Sequence, residues 1–306
     1  MKVKNFILIK LFLLLIILMN TNFVKAEDCD TTVSSSLTSQ LECSDNETLN
    51  VATSGSVIKT GADTIHAKNH SNVTIDNKGT ISASTNQAIN MQHAVNTTVT
   101  NSGTIEATLR NAILMDGDNA DSNTINNSGA LKAGKKQVIL ATNSENTTII
   151  NSGSIETTDT SNPNTNGINY YNTSGSAING ATITNSGTIF AYGTGIRFGT
   201  QGNANKTVDD MTITNSGTIE GGTASIEVYN DNTTGTNIIT KGEGTYIGEI
   251  TLRDTVTTFT LDCSISKDQD IELTDKTNIT ITNNLCGNDT YQILDANKNL
   301  DSDNSE

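Results

Sequence analysis

Polar and apolar positions follow one sentence that the chain repeats. Its cleanest form is Thr212-Ile213-Thr214-Asn215-Ser216-Gly217-Thr218-Ile219. Further copies run from Thr182 to Ile189, Thr148 to Ile155, Thr124 to Leu131, Thr98 to Ile105 and Thr74 to Ile81. Their glycines are Gly79, Gly103, Gly129, Gly153, Gly187 and Gly217, in steps of 24, 26, 24, 34 and 30 residues. Degenerate copies centre on Gly55 and Gly244. Self-similarity at this period is the mark of a solenoid.

Within each copy the apolar residues flanking the Asn-Ser-Gly turn lie six apart, as in Ile75 to Ile81 and Ile213 to Ile219. The next interval is looser: eight from Ile81 to Ile89, thirteen from Ile155 to Ile168. The third varies most, from ten between Ile89 and Val99 to seventeen between Ile196 and Ile213. One corner is therefore fixed and two accept insertions. Three short β-rich segments per period, without helical spacing, predict an all-β chain. The fold expected is a right-handed three-sided parallel β-helix of about eight coils with N- and C-terminal caps.

Alternation assigns the faces. After the turn, Ile81, Ile105, Leu131, Ile155, Ile189 and Ile219 form an inward column, with the small residues Ala83, Ala107, Ala133, Thr157, Ala191 and Gly221 as a second. Ser82, Glu106, Lys132, Glu156, Phe190 and Glu220 point outward. Lys132 falls between two glutamates and offsets their repulsion, at ~0–1 kcal/mol for an exposed pair. Asn77, Asn101, Asn127, Asn151, Asn185 and Asn215 stack as a column able to hydrogen-bond from coil to coil. The glycine two residues on is expected to take positive φ.

Outside the repeats, Met1-Lys2-Val3-Lys4, an apolar run from Phe6 to Met19 and Val24-Lys25-Ala26 read as a secretory signal peptide over 1–26, cleaved before Glu27. The run is too short for a spanning helix, so no integral membrane segment is expected in the mature chain. Residues 27–50 read as an N-terminal cap and 51–250 as the coils. Residues 251–296 read as a C-terminal cap or irregular coils, and 297–306 as a disordered tail.

The leader holds four of the 18 basic residues and none of the 33 acidic ones, so the mature chain carries 14 against 33, a net charge of −19. That field disfavours nucleic acid and anionic membranes as partners. Tryptophan is absent and aromatics make up 4%, which suits columns of Ile, Val and Ala better than a compact globule. Four cysteines form two local pairs, Cys29 with Cys43 and Cys263 with Cys286, expected as disulfides in an oxidising compartment.

Candidate chemistry is sparse. Asp116, Asp118 and Asp121 in one loop, with Asp209 and Asp210 in another, are the acids a β-helical polysaccharide lyase or hydrolase would use. Their Asn- and Gly-rich setting fits solvated loops. His66, His70 and His93 fall out of register and suggest no metal site. No enzyme activity and no cofactor are expected. The longest loops, around 157–166, 173–181 and 201–210, coincide with the aromatic residues. Tyr171, Tyr192, Arg197 and Tyr229 are the candidate contacts for a glycan or surface-protein ligand, with Arg197 and Glu227 as outward neighbours. Tyr170 and Phe198, two residues after Ile168 and Ile196, are expected to point inward. A last alternative is an ice-binding face of Thr-x-Thr pairs (Thr98 and Thr100, Thr182 and Thr184, Thr212 and Thr214), interrupted by Asp76, Asn126 and Ile150.

The Thr-Ile-Thr-Asn-Ser-Gly-Thr-Ile repeat behind a leader resembles the passenger domains of bacterial autotransporters over roughly residues 45 to 295. The resemblance implies a β-helical passenger, exported and shown at the cell surface by its own C-terminal β-barrel. The sequence after Leu294 is too short for the ~10-residue alternating strands of such a translocator. Either the barrel lies beyond residue 306 of a longer product, or the passenger works without it, as an extracellular or periplasmic protein. On this reading the chain is a secreted or cell-surface structural, adhesin-like interaction protein.

Overall fold

The computed structural model describes residues 27–173, 178–200, 208–228, 233–234, 236–240, 244–252, 256–262, 270–273, 280–284 and 292–294. The leader, the Cys263 and Cys286 pair, Tyr229 and the tail from 297 lie outside them.

The chain is all-β, a parallel β-solenoid of about seven turns, against the eight expected. Most coils contribute three strands, and in Thr218–Val228 and Thr245–Leu252 the second and third faces run on as one. In one coil, Thr98–Asn101 precedes the Asn-Ser-Gly corner, Thr104–Ala107 follows it and Ile113–Asp116 closes the triangle. These are called here the first, second and third faces. Every strand pairs in parallel with its equivalents one coil above and below, Val99 with Ile75 and Ile125, Ile105 with Ile81 and Leu131, Ile113 with Ile89 and Ile139. The first face is an eleven-stranded ladder that continues beyond the last complete turn.

Register follows from the pleat. A shift of one residue would turn each isoleucine from core to solvent, so the apolar columns lock the stack. The second-face column from Ile81 to Ile219 is fully buried, as is the first-face column of Leu49, Ile75, Val99, Ile125, Ile149, Ile183, Ile213 and Ile238. On the third face Leu41, Ile65, Ile89, Ile113, Ile139, Ile168, Ile196, Ile226 and Ile250 do the same. One coil alone leaves its apolar edge open, and the next one covers it.

At the fixed corner the asparagines stack inside the solenoid. Asn77 Nδ2 donates to Asn101 Oδ1 at 2.7 Å, and the pattern continues through Asn127, Asn151, Asn185 and Asn215 at 2.7–2.8 Å. From Asn77 to Asn185 each Nδ2 also reaches the carbonyl of its own corner glycine, as Asn101 does to Gly103 at 3.3 Å, and one on the next coil, Ala130 at 3.2 Å. The ladder begins at Asn77, whose Oδ1 is buried without a hydrogen-bond partner because Val51 stands in the register position below it.

The expectation of positive φ at the corner glycines is corrected. None of Gly55, Gly79, Gly103, Gly129, Gly153, Gly187 and Gly217 is in the left-handed region. Close approach is what requires glycine. A Cβ on Gly103 would lie 2.1 Å from the Gly79 carbonyl oxygen, and one on Gly129 equally close to that of Gly103. Left-handed backbone sits instead at the corner between the third and first faces, at Asn46, Asn72, Asn96, Ser122 and Asn146.

Residues 27–50 are stitched to the stack as a layer of it. Thr31–Val33 pairs with Leu49 to Val51, Ser36–Leu37 with Ser56 and Val57, and Leu41 with Ile65. The Cys29–Cys43 disulfide closes this first layer, as the local pairing required. Lys132 aligns with Glu106 and Glu156, but its Nζ sits 3.5 Å from Glu156 while Glu106 accepts from Ser82 Oγ at 2.9 Å.

Candidate functional site

The loop-rich coils owe their shape to the third-face interior. Two residues past the isoleucine column run Cys43, Ala67, Met91, Met115, Ala141, Tyr170, Phe198 and Val228, all buried. Tyr170 aligns with Ala141 below and Phe198 above, so the aromatics thicken the core where the corner insertions begin. The Tyr170 hydroxyl donates to the Ser144 carbonyl and, at 3.2 Å, to that of Asn179. Burial pushes this phenol well above its ordinary value of 10, so it stays protonated and keeps its hydrogen to donate. Tyr170 and Phe198 are thus core residues, as alternation anticipated.

Outside, Arg197 lies in register with Asn169 and Glu227, and its Nε is 3.1 Å from Glu227 Oε2. Thr194 Oγ1 donates to the same carboxylate oxygen at 3.1 Å. Tyr171 follows the inward Tyr170 and is half-buried. It aligns with Gly199 on the coil above, where no side chain competes for the space. Tyr171 therefore neighbours the Arg197–Glu227 pair diagonally on the outer third face.

Tyr192 belongs to a different surface. It is 38% exposed, just past Ala191 at the end of the second face, and its amide donates to Thr157 Oγ1 at 2.9 Å. Phe190 points outward two residues before it, between Glu156 and Glu220. The corner at Gly193 and Thr194 separates this pair from Arg197. The structure pairs Arg197 with Glu227, places Tyr171 one coil below Arg197 and two residues further along, sets Tyr192 around the corner, and leaves Tyr229 outside the described residues.

The acids do not converge. Asp116 Oδ2 accepts from Gln92 Nε2 at 3.1 Å, and Asp121 Oδ1 from the Glu145 amide at 3.0 Å, so both act as ties between coils. Asp118 is exposed, its carbonyl 3.2 Å from His93 Nδ1. Asp209 lies in a small extra ladder with Ile178–Asn179 and Thr233–Thr234, and Asp210 has left-handed backbone beside it. Three coil spacings of ~4.8 Å separate the two groups by ~14 Å along the axis, more than the ~5–9.5 Å between glycosidase carboxyls.

Two histidine pairs escaped sequence reasoning. His66 Nδ1 is 2.6 Å from Glu42 Oε2, and His70 Nδ1 is 3.2 Å from Asp45 Oδ1. Both join the disulfide-closed first layer to the second. The signal was present as offsets of 24 and 25 residues, close to the repeat itself. Among the described residues no group of three or more His, Cys, Asp or Glu is placed to hold a metal ion, and no helix is long and apolar enough to cross a membrane. No family model, curated protein or solved structure matches this chain.

Proposed function

We propose that the chain is an exported passenger of the autotransporter type, a β-solenoid rod that acts as an adhesin-like interaction protein at the cell surface or outside the cell. One observation carries this: outward Tyr171 beside the Arg197–Glu227 pair, on the coils with the longest insertions. A rigid scaffold presenting loops and an aromatic next to a planar cation suits contact with a sugar ring or a protein surface. A translocator barrel would be its partner in export. Tyr171→Ala and Arg197→Gln, with Tyr192→Ala as a separate arm, test the site on glycan arrays and host-cell surfaces. The reading expects at least tenfold weaker binding in the first two variants. Unchanged binding in both, or no ligand for the native chain on either surface, overturns it.

An ice-binding face is the second reading, favoured by one feature. Thr48, Thr74, Thr98, Thr124, Thr148, Thr182 and Thr212 form one unbroken outward column on the first face. The neighbouring column breaks at Asp76, Asn126 and Ile150. Thermal hysteresis in the purified protein is the expected result, and its absence removes this reading.

A further inference from the structure

The left-handed corner between the third and first faces carries a second regularity. Asn46, Asn72, Asn96 and Asn146 have φ of 65°, 59°, 53° and 52° and are all exposed. Each stands two residues before a threonine of the outward first-face column, giving Asn46-Glu47-Thr48, Asn72-Val73-Thr74, Asn96-Thr97-Thr98 and Asn146-Thr147-Thr148. Asn-x-Thr without proline is the acceptor triplet for a sugar on the asparagine amide. The fold adds what the triplet alone lacks. Val73, Thr97 and Thr147 are buried, so the asparagine stands outward at a tight turn with its threonine on the same outer surface.

We infer that this corner is a glycan-acceptor edge, on which Asn46, Asn96 and Asn146 carry N-linked sugar. The donor is a phosphate-activated saccharide, on a lipid or a nucleotide. Nδ2 bonds to the anomeric carbon as the anomeric carbon–oxygen bond to phosphate breaks, and the amide proton leaves with the phosphate. The existing contacts leave room for this. Asn72 Nδ2 donates to Asn46 Oδ1 at 3.0 Å and Asn96 Nδ2 to Asn72 Oδ1 at 2.7 Å, each with one of its two hydrogens. Asn146, with Ser122 one coil below it, stands outside that chain.

Coil spacing sets the occupancy. A sugar ring is wider than the ~4.8 Å between adjacent coils. Asn46, Asn96 and Asn146 sit on alternate layers and fill together, while Asn72 is blocked whenever Asn46 and Asn96 are both filled. The fold also supplies a control. Asn172-Thr173-Ser174 is the same kind of triplet, but Asn172 is fully buried and stays bare.

The inference rests on the export reading, because the transferase must meet the chain on its way out. The test is peptide and intact-mass spectrometry of the chain from its own cells and medium, with the fraction recorded. Hexose or N-acetylhexosamine increments are expected at Asn46, Asn96 and Asn146, and none at Asn172. Thr148→Val keeps the corner and the strand but breaks the triplet. It should remove the Asn146 increment with the unfolding midpoint unchanged. Bare asparagines in an exported chain overturn the inference alone, and a bare chain retained in the cell overturns it together with the export reading. Modification of Asn172 as often as of Asn146 overturns the corner argument.

Discussion

Within one coil, the turn at Asn101-Ser102-Gly103 and the turn at Asn96 both rely on asparagine, in opposite ways. Asn101 is inside, fully buried, and bonds to the coils on either side of it as well as to its own turn. Asn96 is outside, with left-handed backbone that asparagine tolerates better than most residues. The inner turn never varies in length across six copies, because an extra residue would strand buried donors and acceptors. The outer turn is hydrated, so a longer loop strands nothing. Insertions gather where solvent can satisfy the backbone.

That contrast can be broken at measurable points. The largest effect is expected from Gly129→Ala, whose Cβ would meet the Gly103 carbonyl at 2.1 Å and force two coils apart. A loss of ~3 kcal/mol or more, and a midpoint ~6–12 °C lower, should appear in thermal and urea unfolding. A neutral result would refute close approach as the reason for glycine. Next comes Asn127→Leu, which keeps the volume but leaves Asn101 Nδ2 short of an acceptor and Asn151 Oδ1 without its donor. About 2–3 kcal/mol should be lost, since each stranded buried group costs ~1–3 kcal/mol.

The outer corner should respond far less. Asn96→Gly is expected to change stability by only a few tenths of a kcal/mol, and Asn96→Ala by about 1 kcal/mol through left-handed strain. If Asn96→Gly matched Asn127→Leu in the same unfolding assay, the two corners would not differ as argued. The smallest effect concerns Asp45, which accepts the Ser71 amide first and His70 second and is held below its ordinary value of 3.8. A depressed folded value means that its contribution is complete above the unfolded value. It is lost as pH falls from there through the lower folded one. Ser71 amide protection should therefore weaken only below about pH 4, and Asp45→Asn should abolish that pH dependence.

Much of the fold was legible because repetition exposes it. Identical residues at fixed offsets gave the three faces, the inward columns, the asparagine stack and the adjacency of Arg197 and Glu227. Alternation alone placed Tyr170 and Phe198 inside. The glycine was visible but its reason was not, since a string of letters does not separate positive φ from a neighbour's carbonyl at 2.1 Å. Residues 27–50 lack the Asn-Ser-Gly phrase but keep the apolar beat of Val33, Leu37, Leu41 and Leu49, so a layer of the stack reads like a separate cap. At the candidate site, the position of Tyr171 beside Gly199 depends on pairing across a 28-residue offset that matches no other step of the repeat.

The buried asparagine stack also frees the molecule from any required height. Each layer presents upward what it receives from below: threonine to threonine, isoleucine to isoleucine, amide to amide. Cutting out residues 80–103 would bring Thr74–Asn77 under Thr124–Asn127, meeting the same side-chain kinds at three of four positions, with Asp76 facing Asn126 in place of Thr100. Gene slippage by whole periods could then lengthen or shorten the rod without redesigning an interface. Reach would be a quantity for selection to set, because packing inside the stack does not prefer one number of layers.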